Sequence, residues 1–111
     1  MSNYYESEDL KQFGNIGQHA KNLADDFFKY YGDVTGVDGA LSKREKALIA
    51  LAVAHAQKCP YCIAAYTTQR LETGSNPEQM MEAVHVAAVM QAGITLVHSV
   101  QMQNHLKKLV L

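Results

Sequence analysis

The chain has 111 residues, a formal net charge of −1 and 48% hydrophobic residues. That length fits one domain, and the composition is too apolar for disorder. No basic excess points to nucleic acid or an anionic membrane as a partner, and no apolar, uncharged run of about 18 residues is expected that would cross a bilayer.

Ala, Leu, Met, Gln, Glu and Lys dominate, and period-two alternation of β-branched residues is absent, so helix is expected nearly throughout. Residues 1–15 read as an acidic, partly ordered lead with a short helix near Glu8–Phe13, ahead of a helical domain over 16–111. Ile16 to Tyr31 reads as an amphipathic helix, with Leu23, Phe27, Tyr30 and Tyr31 at helical spacing and Gly32 ending it. Residues 32–39, with three Gly and two Asp, read as a loop. Ser42 and Glu45 form a capping box for a helix from Lys43 to about Gln57. Its run Ala47–Ala54 is apolar on nearly all sides, as expected of a central helix or one shared with another subunit. Cys59-Pro60 restarts the chain: proline suits a first helical position because its missing N–H would have no partner there. That helix reaches about Glu72, with Gly74 as its C-terminal cap. Asn76-Pro77-Glu78-Gln79 repeats the start signal for a helix to about Gln91. Gly93 marks a break before a last helix from Ile94 towards Leu109.

The sharpest feature is Cys59-Pro60-Tyr61-Cys62 at a helix start. Positions i and i+3 face the same way, so the two sulfurs can approach each other. Unpaired N–H groups and the positive end of the helix dipole stabilise a thiolate, which is the reactive form. A second Cys nearby can resolve a sulfenic acid or mixed disulfide. The start, Met1-Ser2-Asn3-Tyr4-Tyr5-Glu6, lacks the basic-then-apolar pattern of a signal peptide, so a cytoplasmic setting is expected and a structural disulfide is not. The bland alternative is two Cys that fill core space. A structural zinc site needs about four ligands, and His55, Cys59 and Cys62 supply three; neither a metal nor a cofactor is expected. The tetrapeptide matches glutaredoxins, but it lies between two Ala-rich helical segments with no strand before it.

From Leu41-Ser42-Lys43-Arg44-Glu45 through the Ala-rich run to His55-Ala56-Gln57-Lys58-Cys59-Pro60-Tyr61-Cys62, and on through Ala64-Ala65-Tyr66-Thr67 and Leu71-Glu72-Thr73-Gly74, the sequence resembles the carboxymuconolactone decarboxylase and AhpD-like alkylhydroperoxidase family. The resemblance spans roughly residues 20–105. It implies an all-α, AhpD-like domain of about five to six helices that assembles as a homotrimer or homohexamer. It also implies a thiol-dependent peroxidase or disulfide redox cycle, with a peroxide or disulfide as substrate and an external thiol reductant. By position, Cys62 would be peroxidatic and Cys59 resolving. Helix-dipole reasoning alone favours Cys59 as the more acidic thiol. The family's Glu, twelve residues before the first Cys, is Ala47 here, and its His, four residues after the second, is Tyr66. Both partners of the family's proton relay are therefore replaced. These departures resemble a subgroup of arsenosugar-biosynthesis-associated peroxidase-like proteins. Lactone decarboxylation uses other residues and is not expected.

Three further residues are candidates beside the thiols. His55 lies one turn before Cys59, where it can perturb the thiol or bond a backbone carbonyl. Tyr66 lies one turn after Cys62 and can donate a hydrogen bond, or can simply pack. His85, in an apolar context with Glu82 one turn before it, is a base candidate or a satisfied core residue. His98 is a weaker version of the same idea. Glu45 sits two positions from the family's Glu, about 200° round a helix, and its capping role explains it. The pairs Phe27-Phe28 and Tyr30-Tyr31 are expected in the core or a subunit interface. The alternative to an enzyme is a non-catalytic oligomeric accessory protein whose thiolates hold a small thiophilic ligand or metal.

Overall fold

The structure, a computed structural model, describes residues 6–72 and 74–109. An N-terminal 3₁₀ segment, Ser7–Gly17, is followed by α1 (Lys21–Thr35), α2 (Lys43–Ala56), α3 (Pro60–Glu72), α4 (Pro77–Val97) and α5 (Ser99–Leu109). All regular structure among the described residues is helical, as composition predicts. The first five residues of the expected lead lie outside the described residues.

The helix starts follow the local chemistry. At α2, Ser42 Oγ accepts the Glu45 N–H at 3.0 Å and the Ser42 N–H donates to Glu45 Oε1 at 2.9 Å. The Ser42 N–H, then its hydroxyl, holds the Glu45 carboxyl below the usual carboxylate range. At α4, Asn76 Oδ1 accepts the Gln79 N–H at 2.8 Å, and Pro77 fills the first helical position. Gly74 takes φ +89°, the left-handed backbone that glycine adopts at little steric cost.

Two glycines do not break helices where expected. α1 runs through Gly32 to Thr35, and α4 runs through Gly93 to Val97. A helical glycine is disfavoured by about 1 kcal/mol relative to alanine, too little to stop a helix with good formers on both sides. The change of helix comes instead at His98, where the ring Nδ1 lies 2.6 Å from the Ile94 carbonyl oxygen. The first long helix begins at Lys21, not Ile16, because the 3₁₀ segment folds back on it. Gly17 permits that approach: a Cβ there would lie 3.1 Å from the Ala24 Cβ.

α2 is the central helix, packed against α3 and α4. Leu51 is 1% exposed and sits with Ala47 and Tyr66; Ala50, Cys62 and Met80 pack around them. That core is small. The Cα radius of gyration is 19.0 Å, against about 13 Å for a compact chain of this length. The accessible surface is 8814 Å², against roughly 6,100 Å² for a folded monomer of this mass. Part of this surface is apolar side chains along α4 and α5, where Val86, Val89, Met90, Leu96, Val97 and Met102 are all exposed. Pro77–Leu109 is long and apolar enough, by length and composition, to cross a membrane, with a mean hydropathy of 1.5 over 18 residues. This corrects the sequence expectation: no Asp, Glu, Lys or Arg occurs between Glu82 and Lys107, and His, Gln, Ser and Thr break up the apolar pattern without adding charge.

Candidate redox site at the start of helix α3

The turn between α2 and α3 sets the thiols in place. The Cys59 N–H reaches back to the Ala54 carbonyl at 2.9 Å and the Lys58 N–H to the His55 carbonyl at 3.2 Å. This is the pair of backward bonds of a Schellman termination, and it requires a left-handed residue between them. Lys58 fills that place at φ 55° with no glycine to ease it. The chain then turns directly into α3 with Cys59 at the N-cap. Its carbonyl accepts the Ile63 N–H at 2.9 Å, and its sulfur accepts the Cys62 N–H at 3.4 Å.

The two Sγ atoms lie 2.6 Å apart, in hydrogen-bonding contact and beyond the roughly 2.05 Å of a covalent S–S bond. They are not equivalent. The Cys59 thiol is lowered from its ordinary value, first by hydrogen bonding from the Cys62 thiol and then by the Cys62 N–H. The Cys62 thiol is pushed up to about 11, first by burial and then by its contact with Cys59. Cys59 is therefore the more acidic thiol of the pair and Cys62 the one that holds its proton more tightly, in line with the helix-dipole expectation.

Both sulfurs open onto a cavity of about 640 Å³ walled by Phe13, Phe27, Phe28 and Val53, with Tyr31 and Tyr66 also on its lining. Phe13, from the N-terminal segment, meets Phe28 edge-on at 5.0 Å between ring centres, and Phe27 lies 6.0 Å away. The segment thus forms one wall of the cavity that holds the thiols. A neighbouring cleft of about 360 Å³ also reaches both sulfurs and is lined by Asp9, Ile16 and Tyr61 among others. Tyr66 is 8% exposed, and its hydroxyl is hydrogen-bonded to that of Tyr31. Burial, and then the Tyr31 hydroxyl, hold Tyr66 far above the ordinary phenol range, so it stays protonated.

Cys59, Cys62 and Tyr66 are therefore brought together. His55 and His85 are not among the residues that line this cavity. The His55 Nδ1 lies 2.9 Å from the Leu51 carbonyl of its own helix, and the ring faces a groove shared with Val84, Ala87 and Gln91. His85 is exposed on α4. No group of three or more His, Cys, Asp or Glu able to hold a metal ion occurs among the described residues. Sequence reasoning missed Tyr31 as a site residue. It stands 35 positions from its partner, so no local spacing connects them. Lys58 carries no sequence signal either, since the usual mark of such a turn is glycine.

The fold and site define an all-helical protein with a paired thiol at a helix start, facing an aromatic-walled cavity. The chain belongs to the carboxymuconolactone decarboxylase family, whose sequence model matches residues 21–103. That family contains both the decarboxylase and AhpD-like peroxidases. A protein of Paracoccus denitrificans described as uncharacterized protein 4 in the cox locus is 47% identical over 75 residues, covering 68% of each chain. A crystal structure of a structural-genomics target from Methanobacterium thermoautotrophicum superposes with a TM-score of 0.69 at 28% identity, covering 77% of this chain and 94% of that one. The N-terminal wall of the cavity precedes the matched region.

Proposed function

We propose that this chain is a dithiol oxidoreductase that reduces a peroxide or a disulfide while Cys59 and Cys62 pass from dithiol to disulfide. An external thiol reductant then restores the pair. The observation that carries this reading is the 2.6 Å approach of two unlike thiols on an apolar cavity. A buried pair that only filled space would have no reason for such an asymmetry or for an opening to solvent. The resemblance assigns first attack to Cys62. The asymmetry supports Cys59, the more acidic thiol, as the nucleophile, with Cys62 resolving.

The test is stopped-flow mixing of reduced protein with an organic hydroperoxide, followed by thiol counting. Wild type should lose two thiols per peroxide. Cys62→Ser should stop at a sulfenic acid on Cys59, and Cys59→Ser should react far more slowly. Equal reactivity of both single variants and wild type would overturn the reading. Reaction through Cys62 alone would reverse the roles.

The working form is proposed to be a homotrimer or homohexamer in a reducing cytoplasm. The excess surface and the exposed apolar rows of α4 and α5 support association between copies. Light scattering on a sizing column should give three or six times the 12.3 kDa chain mass. A monomer at micromolar concentration would refute this.

A further inference from the structure

Reduction of a hydroperoxide to an alcohol and water releases two strongly basic oxygens, an alkoxide and a hydroxide. Each must be protonated. When the pair reacts through the Cys59 thiolate, the Cys62 thiol is the only proton it retains to give. A second proton donor is needed, and the family's usual relay positions are Ala47 and Tyr66 here. The titratable side chains on the lining of the larger cavity are Cys59, Cys62, Tyr31 and Tyr66. The neighbouring cleft adds Asp9 and Tyr61.

We infer that the hydrogen-bonded phenols of Tyr31 and Tyr66 supply this proton, with Tyr66 as the donor to the departing oxygen and Tyr31 as its positioning residue. The inference rests on the redox reading above. Tyr66 sits one turn beyond Cys62 on α3, and its ring packs in the same cluster as Cys62 against Leu51 and Ala47 of α2. Tyr31 comes from α1, and its hydroxyl meets that of Tyr66. At rest, burial and the contact with Tyr31 keep the proton on Tyr66; once that proton has left, the Tyr31 hydroxyl turns its own proton toward the phenolate and donates a charge-assisted hydrogen bond.

The steps balance. The Cys59 thiolate attacks the terminal oxygen of ROOH, so an S–O bond forms and the O–O bond breaks. The alkoxide takes the Tyr66 proton and leaves as ROH. The Tyr66 phenolate is held by the Tyr31 hydroxyl. Cys62 then attacks the Cys59 sulfur, the S–S bond forms and the S–O bond breaks. The departing hydroxide takes the Cys62 proton and leaves as water. Solvent reprotonates Tyr66. The dithiol loses two electrons and the peroxide gains them.

The experiment compares sulfenic acid formation in wild type, Tyr31→Phe, Tyr66→Phe and Tyr61→Phe with two oxidants. One is an alkyl hydroperoxide, whose leaving alkoxide needs a proton. The other is a peracid, whose leaving carboxylate does not. With the alkyl hydroperoxide, Tyr66→Phe should slow by on the order of 100-fold, the low end of general acid catalysis, and Tyr31→Phe, which acts only through Tyr66, by on the order of 10-fold. With the peracid, both should stay within about 3-fold of wild type. Tyr61→Phe should leave both rates unchanged. Equal losses with both oxidants, no loss, or a loss in Tyr61→Phe alone would overturn the phenol assignment while leaving the thiol chemistry standing. Wild type inert to every peroxide would overturn the phenol assignment together with the peroxidase form of the thiol reading. Tyr31 is 39% exposed, so its Phe variant does not threaten folding and keeps the comparison decisive.

Discussion

Replacing Leu51 by alanine tests how the small core supports the thiol site. Leu51 is the largest fully buried side chain among the described residues and touches both Tyr66 and the Cys62 environment. Leu→Ala substitutions in cores lose about 2.7–5 kcal/mol, depending on how far the site collapses. Here Ala50, Cys62 and Met80 are only partly buried, and methionine refills gaps readily. The loss should therefore fall near the lower end, about 2.5–3 kcal/mol. For a chain of this length that corresponds to a fall in Tm of about 10 °C. Thermal and urea unfolding followed by circular dichroism would measure it, at one fixed protomer concentration because association shifts apparent stability. A loss below about 1 kcal/mol would refute the argument that the hydrophobic centre lies between α2, α3 and α4. Val53→Ala is the contrast: this side chain is 55% exposed, so a loss above about 0.5 kcal/mol would report burial by another copy.

Lys58→Gly should stabilise the protein by about 0.5–1 kcal/mol, since it relieves a left-handed lysine; equilibrium unfolding checks it. Cys59→Ser should unfold at the same or a slightly higher denaturant concentration while losing thiol reactivity. The rate of iodoacetamide alkylation at Cys59 should rise with pH through a midpoint below that of an ordinary thiol, and Cys62→Ala should move the midpoint up by removing the S–H donor. The two thiols also act oppositely on stability. The Cys59 contribution is present above the unfolded thiol pKa and lost as pH falls through its lowered folded value. The Cys62 contribution is present below the unfolded pKa and lost as pH rises through about 11. Unfolding of wild type against each single variant across pH 6–10 would show these opposite trends.

Much of this was readable in the residues themselves. The starts of α2 and α4 follow from Ser42, Glu45, Asn76, Pro77 and Gln79, because capping is local chemistry between positions three apart. The approach of Cys59 and Cys62 follows from spacing at a helix start for the same reason. What depended on contacts distant in sequence was not readable. Tyr31 meets Tyr66 only because α1, packed on the N-terminal segment and α2, faces the cavity that α3 also lines, and Phe13 becomes a cavity wall only because Gly17 lets the N-terminal segment fold back. Gly32 and Gly93 were overvalued as breakers, since tertiary packing and good helix formers outweigh a modest propensity penalty. His55 follows the more modest of its two expected roles: its ring nitrogen bonds a carbonyl one turn back.

Among the described residues, three helices begin on a side chain that accepts an N–H three residues on. Two do so through oxygen, Ser42 at 3.0 Å and Asn76 at 2.8 Å. α3 does so through sulfur at 3.4 Å, a longer and softer contact that serves helix initiation less well. A hydroxyl there would begin the helix at least as firmly, so local folding gives no preference for cysteine. What sulfur brings to that position, and oxygen does not, is the capacity to give up electrons and take them back.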